Sequence, residues 1–471
     1  MHSIKSAEQL EHFLKYVLRV FRESVPLAHI EQRWPQVALQ LALSCPSRHY
    51  AGRSFQIFRA LHIPLTSQML SDVLSRLVET VADHGEDMQG YVTEIMLTLE
   101  STIDHLNADF PSFDFAKELF MSTPNLTKEP KLEIKKSATV ALRQAPPYRS
   151  TTYALAAITR RTITSAPVPV EAKIDTRQHR CSTGDIETRG KTNLSRSRSV
   201  QSLKNASQEV VGQEDKLTIL SQLFFVAVTL LESDYEYEFL LAVRLLDKVL
   251  RHLQPERPEC REKLDKIQGQ LKWPTFPGVQ SLLLKGCTSP VTAEASWTLL
   301  SRLTLCIQAP IIDPSQVIGF PMNVMALLPY LVVHYEEPIT VCAEAADHIS
   351  QMCMEMPGKL ENLATVMQLY SRGTFGKDKH QWTKCVVKYI YDVYSNLSSF
   401  IIAFLVEVLD KGPHISQGAI LQILHCIVHY LDITSPPYNT LNSELMRVVS
   451  KYMESQHWKE ALKILKLCVT K

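Results

Sequence analysis

Two histidines at helical spacing come closest to the chemistry of a metal site. His425 and His429 lie four positions apart with Cys426 between them, so one helix would present both imidazole rings on the same face. The surrounding residues are apolar, and no glutamate stands where the general base of an HExxH zinc motif would be. Packing of the two rings within a helix bundle is therefore the favoured interpretation, and the sequence predicts no metal and no cofactor.

Two short segments match catalytic motifs only in part. His334 is followed by a tyrosine and two glutamates that could form an acid–base pair, but Pro338 then favours a charged helix end. The segment Gly373–Lys377 is glycine-rich like a phosphate-binding loop, yet its spacing differs from GxxxxGK[ST] and no strand precedes it. These segments predict a helix end and a helix–helix loop, and the chain is not expected to be an enzyme.

An acidic run with tyrosines, Asp234–Glu238, stands at the start of a predicted helix. Acidic side chains near a helix N-terminus are stabilised by the helix dipole, so capping is the favoured explanation. A rim that faces a partner protein is the alternative.

A basic segment in the middle of the chain has the clearest functional pattern. Formal net charge is +1, but residues 128–204 contain 16 Lys+Arg and 6 Asp+Glu, which leaves 34 and 43 for the rest of the chain. A stretch with this balance attracts acidic surfaces such as tubulin tails or nucleic acid. Contact with an acidic polymer is one interpretation, with nucleic acid the less favoured partner, and a solvated linker with incidental charge is another.

Arginines in the basic segment also lie at the positions before a serine or threonine that basophilic kinases recognise. Arg196 and Arg198 lie three and one positions before Ser199, and Arg161 lies three positions before Thr164. Each phosphate adds about two negative charges and would erode the positive charge, so regulated phosphorylation is the favoured interpretation. The candidate phosphorylation sites are Ser197, Ser199, Ser202 and Thr164, and the candidate basic contact residues are Arg160, Arg161, Arg196 and Arg198.

The elements that must position these residues are helices in two blocks. Apolar residues in the first block, residues 1–121, recur at i, i+3, i+4 and i+7 and predict helices over 7–21, 30–43, 51–61, 67–83 and 88–106. Residues 122–214 lack such periodicity and are rich in Ser, Thr, Pro, Arg and Lys. That composition cannot bury enough apolar area to offset the entropy of ordering the chain, so it predicts a long disordered insertion.

The second block, residues 215–471, repeats the helical pattern to the end of the chain. Its predicted helices cover 217–231, 237–253, 259–270, 276–285, 292–307, 321–334, 339–354, 359–370, 379–394, 398–409, 415–430, 440–453 and 457–468. Helix pairs recur about every 35–45 residues, which is typical of HEAT or armadillo-like repeats. We therefore predict an all-α fold, an α-solenoid interrupted by the insertion, with a compact all-α domain as the alternative. Because the last helix is apolar and has no polar cap after it, we expect the chain to continue into a longer protein.

Composition supports a helical protein in a reducing compartment. Hydrophobic residues make up 45% of the chain and only 15 residues are glycine, too few for a fold rich in tight turns. The ten cysteines form no CxxC pair and lie mostly in apolar helical runs. No signal peptide precedes the first helix, and Phe400–Leu409 is too short an apolar stretch to span a membrane. We expect a soluble, cytoplasmic protein without a membrane span.

Both helical blocks carry a family resemblance. The segments Arg33–Ser47 (RWPQVALQLALSCPS) and His49–Leu61 (HYAGRSFQIFRAL) resemble the central region of the Furry cell-morphogenesis proteins. The helical region Leu217–Leu467 is similar to the C-terminal helical-repeat domain of the same family. The insertion is too low in complexity to contribute.

The resemblance implies a function without a catalytic site. Furry proteins are very large scaffolds for polarised growth, cell shape and neurite patterning, and they support NDR-type kinases with their Mob co-activators at the cortex and on microtubules. We therefore expect a non-enzymatic scaffold or adaptor with protein partners and no small-molecule substrate. No segment of this sequence resembles the N-terminal portion of Furry proteins, to which kinase association is assigned in the family. The alternatives are direct binding of microtubules or nucleic acid through the insertion, and transcriptional co-regulation.

Overall fold

Helices are the only regular elements in the parts of the chain that the structure, a computed structural model, describes. These parts are residues 6–63, 65–81, 86–108, 213–271, 273, 276–356, 360–435 and 438–470. The chain divides into two compact units, Met1–Ile219 and Leu220–Lys471. The all-α prediction is confirmed.

The N-terminal unit is built around α3. Its helices are α1 (Ala7–Ser24), α2 (Ile30–Ser44), α3 (Arg48–Ala60), α4 (Ser67–Val81) and α5 (Glu86–Ala108). The hydroxyl of Ser6 begins α1 by accepting a hydrogen bond from the backbone N–H of Gln9 at 3.2 Å. Helix α3 packs against α1, α2 and α5, and it buries Phe55 and Phe58 completely or nearly so.

The C-terminal unit contains the larger set of helices. They are α6 (Gln213–Leu230), which crosses the boundary between the units, α7 (Glu236–Leu250), α8 (Pro258–Leu271), α9 (Val279–Gly286), α10 (Ala293–Leu303), α11 (Gly319–Val333), α12 (Thr340–Glu355), α13 (Glu361–Ser371), α14 (Lys379–Tyr394), α15 (Ser398–Lys411), α16 (Gln417–Tyr430), α17 (Asn439–Ser450) and α18 (Trp458–Thr470).

Alternate helices of the C-terminal unit lie side by side, as in stacked helical repeats. Helix α14 contacts α16, and α16 contacts α18, whereas α15 contacts α17. Consecutive helices such as α15 and α16 also contact each other and join the two layers. Each layer buries its inward-facing side chains on the other, which is how a repeat protein assembles a core from units that have none alone. This alternation of contacts confirms the prediction of a helical-repeat solenoid.

Helix α11 differs from its neighbours because it is buried on all sides. Every residue from Gly319 to Val332 is buried, and the helix contacts α9, α10, α12, α14, α15 and α16. Such burial needs an apolar sequence all round the helix, and GFPMNVMALLPYLVV meets that need. Several helices of the unit thus share α11 as a common packing surface.

Side chains satisfy several polar groups at the start of α11, whereas the buried amide oxygen of Asn323 has no hydrogen-bond partner among the described residues. The carboxylate of Asp313 accepts hydrogen bonds from the backbone N–H groups of Gly319, at 2.8 Å, and Ser315, at 3.0 Å. The side-chain amide of Asn323 donates to the Leu300 carbonyl at 3.2 Å and to the Thr304 hydroxyl at 2.8 Å. Buried polar groups are costly without partners, so these bonds permit an uncharged helix start inside the core.

One helical stretch, Lys379–Lys411, is long and apolar enough to cross a membrane by length and composition alone. It comprises α14 and α15, separated by a 3-10 turn at Ser395–Leu397. Protein packing accounts for its composition, because Ile402, Leu405 and Leu409 are already fully buried in the C-terminal unit.

Several helix ends differ from the sequence predictions. The predicted helix over 292–307 is the α-helix Ala293–Leu303 followed by a 3-10 turn, Thr304–Cys306. The helix predicted over 321–334 begins at Gly319, because Asp313 caps it from six residues upstream, and it continues through Pro329. The predicted insertion falls mostly on residues 109–212, outside the described ranges, so its disorder and its boundaries stay predictions.

The position of α11 yields a stability prediction. Leu328→Ala should destabilise the C-terminal unit by about 3 kcal/mol, because a fully buried leucine is replaced by a cavity. The control Phe400→Ala removes a side chain that is 60% exposed and should change stability by less than about 0.5 kcal/mol. Urea unfolding followed by tryptophan fluorescence reports on this unit, since four of the five tryptophans lie in it. Equal effects of the two substitutions would contradict the central role of α11.

Candidate partner-binding sites

A polar groove of about 600 Å³ lies between α3 and α5 of the N-terminal unit. Four of its lining residues, His49, Gly52, Arg53 and Gln56, belong to the His49–Leu61 segment that carries part of the family resemblance. Its basic lining residues are Arg48, His49 and Arg53, all from the first turns of α3. Two glycines, one on each helix, also line the groove and leave it open because they carry no side chain.

Tyr91 forms the aromatic wall of this groove. Its hydroxyl donates to the Ala42 carbonyl at 2.7 Å, and burial raises the pKa of the phenol, so it stays protonated near neutral pH. The guanidinium groups of Arg48 and Arg76 lie 5.1 and 5.8 Å from the ring centroid. The tyrosine therefore ties α5 to α2 and holds two arginines beside the groove.

Glu94 holds the two helices of the groove together. Its carboxylate accepts hydrogen bonds from Gln56 at 2.6 Å and from Arg59 at 2.5 Å, and Arg59 also donates to the backbone carbonyl of Glu94 at 2.9 Å. The side chains of Arg59 and Glu94 are only 18% and 16% exposed, so water screens the pair weakly. The groove is thus a preformed structure.

The groove has unused capacity to donate hydrogen bonds. One terminal nitrogen of Arg48 is buried and has no hydrogen-bond partner among the described residues. A guanidinium beside an aromatic ring suits a carboxylate or carbonyl oxygen of a partner molecule. Sequence reasoning missed this site. The available pattern was a row of residues without apolar side chains at helical spacing, Gly52, Gln56 and Arg59, beside the apolar face of α3 that carries Phe55 and Phe58.

The glycine-rich segment Gly373–Lys377 ends helix α13. Gly373 has φ of +62°, its N–H donates to the Tyr370 carbonyl at 2.9 Å, and the N–H of Thr374 donates to Leu369 at 2.8 Å. These two bonds and the left-handed glycine form a Schellman C-cap. The interpretation as a helix–helix loop is therefore favoured by the geometry.

The segment after His334 belongs to an aromatic cluster. The hydroxyl of Tyr335 donates to the Lys377 carbonyl at 2.8 Å, and its ring lies 5.6 Å from that of Trp382. Tyr370 stacks on Trp382 at 4.7 Å and donates to the Leu331 carbonyl at 3.0 Å. These contacts join the end of α11 to α13 and α14, so this segment has a structural role.

The acidic run Asp234–Glu238 is held by neighbouring side chains at the start of α7. Asp234 pairs with Lys285 of α9 at 2.7 Å, and Glu238 accepts from the Ser233 hydroxyl at 2.6 Å. Glu236 accepts from the hydroxyl of Ser289. Capping and inter-helix pairing explain the acids, whereas the rings of both tyrosines in the run remain exposed.

His425 and His429 lie on one face of α16, as their spacing predicts. Within the described ranges, no group of three or more His, Cys, Asp or Glu side chains could hold a metal ion. Burial lowers the pKa of His425, and the positive charge of Lys463 lowers it further. The ring of His429 packs edge-on against Tyr430 at 5.6 Å.

The candidate phosphorylation sites and basic contact residues lie outside the described ranges. This holds for Ser197, Ser199, Ser202, Thr164, Arg160, Arg161, Arg196 and Arg198. Their roles stay predictions.

The fold defines an all-α helical-repeat protein. Residues 221–471, more than half of the chain, match the family described as Cell morphogenesis C-terminal. The chain therefore belongs to this family, and the Furry resemblance is confirmed. No solved structure matches the chain.

Two curated fungal proteins are among the similar sequences. Cell morphogenesis protein PAG1 of Saccharomyces cerevisiae is 34% identical over 103 residues, which is 22% of this chain and 4% of that protein. Cell polarity protein mor2 of Schizosaccharomyces pombe is 40% identical over 80 residues, 17% of this chain and 4% of that protein. The matched region is thus a small part of each relative, and both relatives are named for cell shape or polarity.

The C-cap of α13 yields a prediction with an internal control. Gly373→Ala should destabilise the C-terminal unit by about 1 kcal/mol, because alanine is strained at positive φ. Gly376→Ala should be neutral, because that glycine has no positive φ and nothing lies within 4 Å of an added Cβ. Thermal unfolding would measure the difference. Equal midpoints for the two variants would contradict the assigned cap.

The Glu94 contacts also predict a measurable loss of stability. Glu94→Gln should destabilise the packing of α3 on α5 by about 2 kcal/mol, because Arg59 loses its charged partner in a half-buried site. In the control Glu79→Gln, the lost partner of Arg76 is 64% exposed, and the effect should stay below about 1 kcal/mol. Hydrogen exchange of the α3 peptides is the measurement. Unchanged protection in Glu94→Gln would mean that the pair does not hold the groove.

Proposed function

We propose that this chain is a non-enzymatic scaffold segment that supports cell morphogenesis and polarised growth, including neurite development, by binding other proteins. Membership of the family and the names of the fungal relatives support the role in morphogenesis. The binding surfaces are the exposed helix faces and the groove between α3 and α5. In this proposal the chain acts in the cytoplasm, at the cell cortex or on the cytoskeleton.

The observation that carries the proposal is that both segments with a partial match to a catalytic motif have a structural role. Gly373 caps α13, and Tyr335 joins an aromatic cluster. In contrast, the groove keeps a buried arginine nitrogen without a partner among the described residues. Two exposed residues of the same groove, His49 and Arg53, lie where another molecule could reach them, which favours binding over catalysis.

The partners that we propose come from the family resemblance. They are an NDR-type kinase with its Mob co-activator, and tubulin as a second class. Repeat proteins bind such partners over extended surfaces, with most of the affinity in a few anchor residues.

A second function is favoured by the charge of residues 128–204. Their excess of ten positive charges suits direct contact with microtubules or, less favourably, nucleic acid. Binding of that kind depends steeply on salt because counterions are released. Transcriptional co-regulation would be a further consequence of contact with nucleic acid. Phosphorylation at Ser199 and its neighbours would weaken all of these contacts.

Affinity capture from cell lysate tests the two functions against each other. The baits are the whole chain and a variant with Arg160, Arg161, Arg196 and Arg198 replaced by Gln. We expect both baits to recover the same proteins at moderate salt, including an NDR-type kinase or a Mob protein, because the helical units are unchanged.

The opposite result would assign binding to the basic segment. Recovery of tubulin or nucleic acid by the whole chain alone, lost at higher salt, would support the second function. Turnover of a small substrate that one point mutation abolishes would overturn both.

A further inference from the structure

One layer of the C-terminal unit presents a continuous face made of α14, α16 and α18, here named the basic layer. The side chain of Gln422 donates to the Lys379 carbonyl at 3.4 Å, and the rings of Tyr391 and Tyr430 stack at 5.4 Å, which joins α14 to α16. Gly418 of α16 lies so close to the His457 ring, just before α18, that an added Cβ would be 2.8 Å from it. The outward faces of the three helices are therefore contiguous.

The outward positions of the basic layer are rich in lysine and histidine. They recur at intervals of three or four residues, which keeps them on one side of each helix. From α14 to α18 they are His380, Lys384, Lys388, His425, His429, Lys459, Lys463 and Lys466. The three helices contain two acidic residues, Asp392 and Glu460.

The opposite layer, α15 and α17, uses its charges internally. Asp410 of α15 pairs with Arg447 at 3.2 Å and with Lys451 at 2.5 Å, and Lys411 pairs with Glu407 of the same helix at 2.9 Å. These pairs neutralise the layer and link its helices.

The basic layer lacks such compensation. Lys388 lies 3.4 Å from Asp392, but Lys384, Lys459, Lys463 and Lys466 form no ion pair within the described parts of the chain. The lysines of the two outer helices lie close enough to act on the same residue of α16. The positive charges of Lys463 and Lys384 both help to lower the pKa of His425. Uncompensated like charges repel each other and do not stabilise the fold, so they are available to a partner.

The rest of the unit limits the kind of partner. Residues 221–471 contain 23 Lys+Arg and 25 Asp+Glu, so the positive charge is local to this layer. A long polyanion or an anionic membrane would extend beyond the basic layer and be repelled by the acidic residues of the surrounding surface. A short acidic segment would contact the basic layer alone. Cations four residues apart on a helix are about 6 Å apart, close to the spacing of about 7 Å between alternate side chains of an extended peptide.

We propose that the basic layer binds a short, extended segment of a partner protein that is rich in Glu and Asp. The proposal rests on the proposed scaffold function and names the chemistry of one partner. Lysines without internal partners would each pair with one carboxylate, and the apolar core beneath them would keep the three helices in fixed positions.

A defined peptide tests this assignment. The probe is a fluorescent peptide of alternating Glu and Ser, and its binding to the full chain is followed by anisotropy. Lys384→Gln combined with Lys463→Gln should weaken binding roughly fivefold, because two exposed ion pairs of about 0.5 kcal/mol each are lost. The matched control is Lys263→Gln with Lys266→Gln on α8, which removes the same charge beside three acidic residues and should leave binding unchanged.

Two results would overturn the proposal. One is equal binding of the peptide by the two double variants, which would place the contact elsewhere, for example in residues 128–204. The other is a Lys384→Gln/Lys463→Gln variant that still binds the peptide but no longer binds single-stranded DNA or phosphatidylserine vesicles. That result would assign the basic layer to another class of partner. If capture of partners from lysate persists in either case, only this face is wrongly assigned and the scaffold function stands.

Discussion

Complete burial of α11 is the constraint on which the C-terminal unit depends. A helix that is apolar on every face can exist only if other helices cover it, and six helices do so. The polar start of α11 is made tolerable by Asp313, and Asn323 ties its first turns to the end of α10. The remaining helices can then stack in two layers, because their inward faces share a common core.

Polar side chains serve two different purposes in the two units. In the N-terminal unit, Glu94 and Arg59 are partly buried and paired, so they hold α3 on α5 and shape the groove. In the C-terminal unit, the charges of α15 and α17 are paired, whereas Lys384 and Lys463 of the basic layer are exposed without ion pairs in the described ranges. Pairing thus separates residues that stabilise the fold from residues that are available for recognition.

Segments that resemble catalytic motifs have an ordinary origin in a chain of short helices. Each helix needs residues that begin and end it, so glycines, acids and tyrosines collect in the loops. Gly373 is required by a left-handed C-cap, and Tyr335 joins the aromatic cluster around Trp382. A local motif therefore carries little functional information here until the partners of its residues are known.

The sequence by itself determined the helical class, the positions of most helices and the family, because apolar periodicity and short sequence motifs are local properties of the chain. It also predicted that His425 and His429 lie on the same face of one helix. Only the tertiary structure decided that α11 is the central helix, that Arg48 and Glu94 border one groove, and that lysines of α14 and α18 share one face with the histidines of α16. Those facts depend on which helices become neighbours across tens of residues, and helical periodicity specifies a buried face without specifying what covers it.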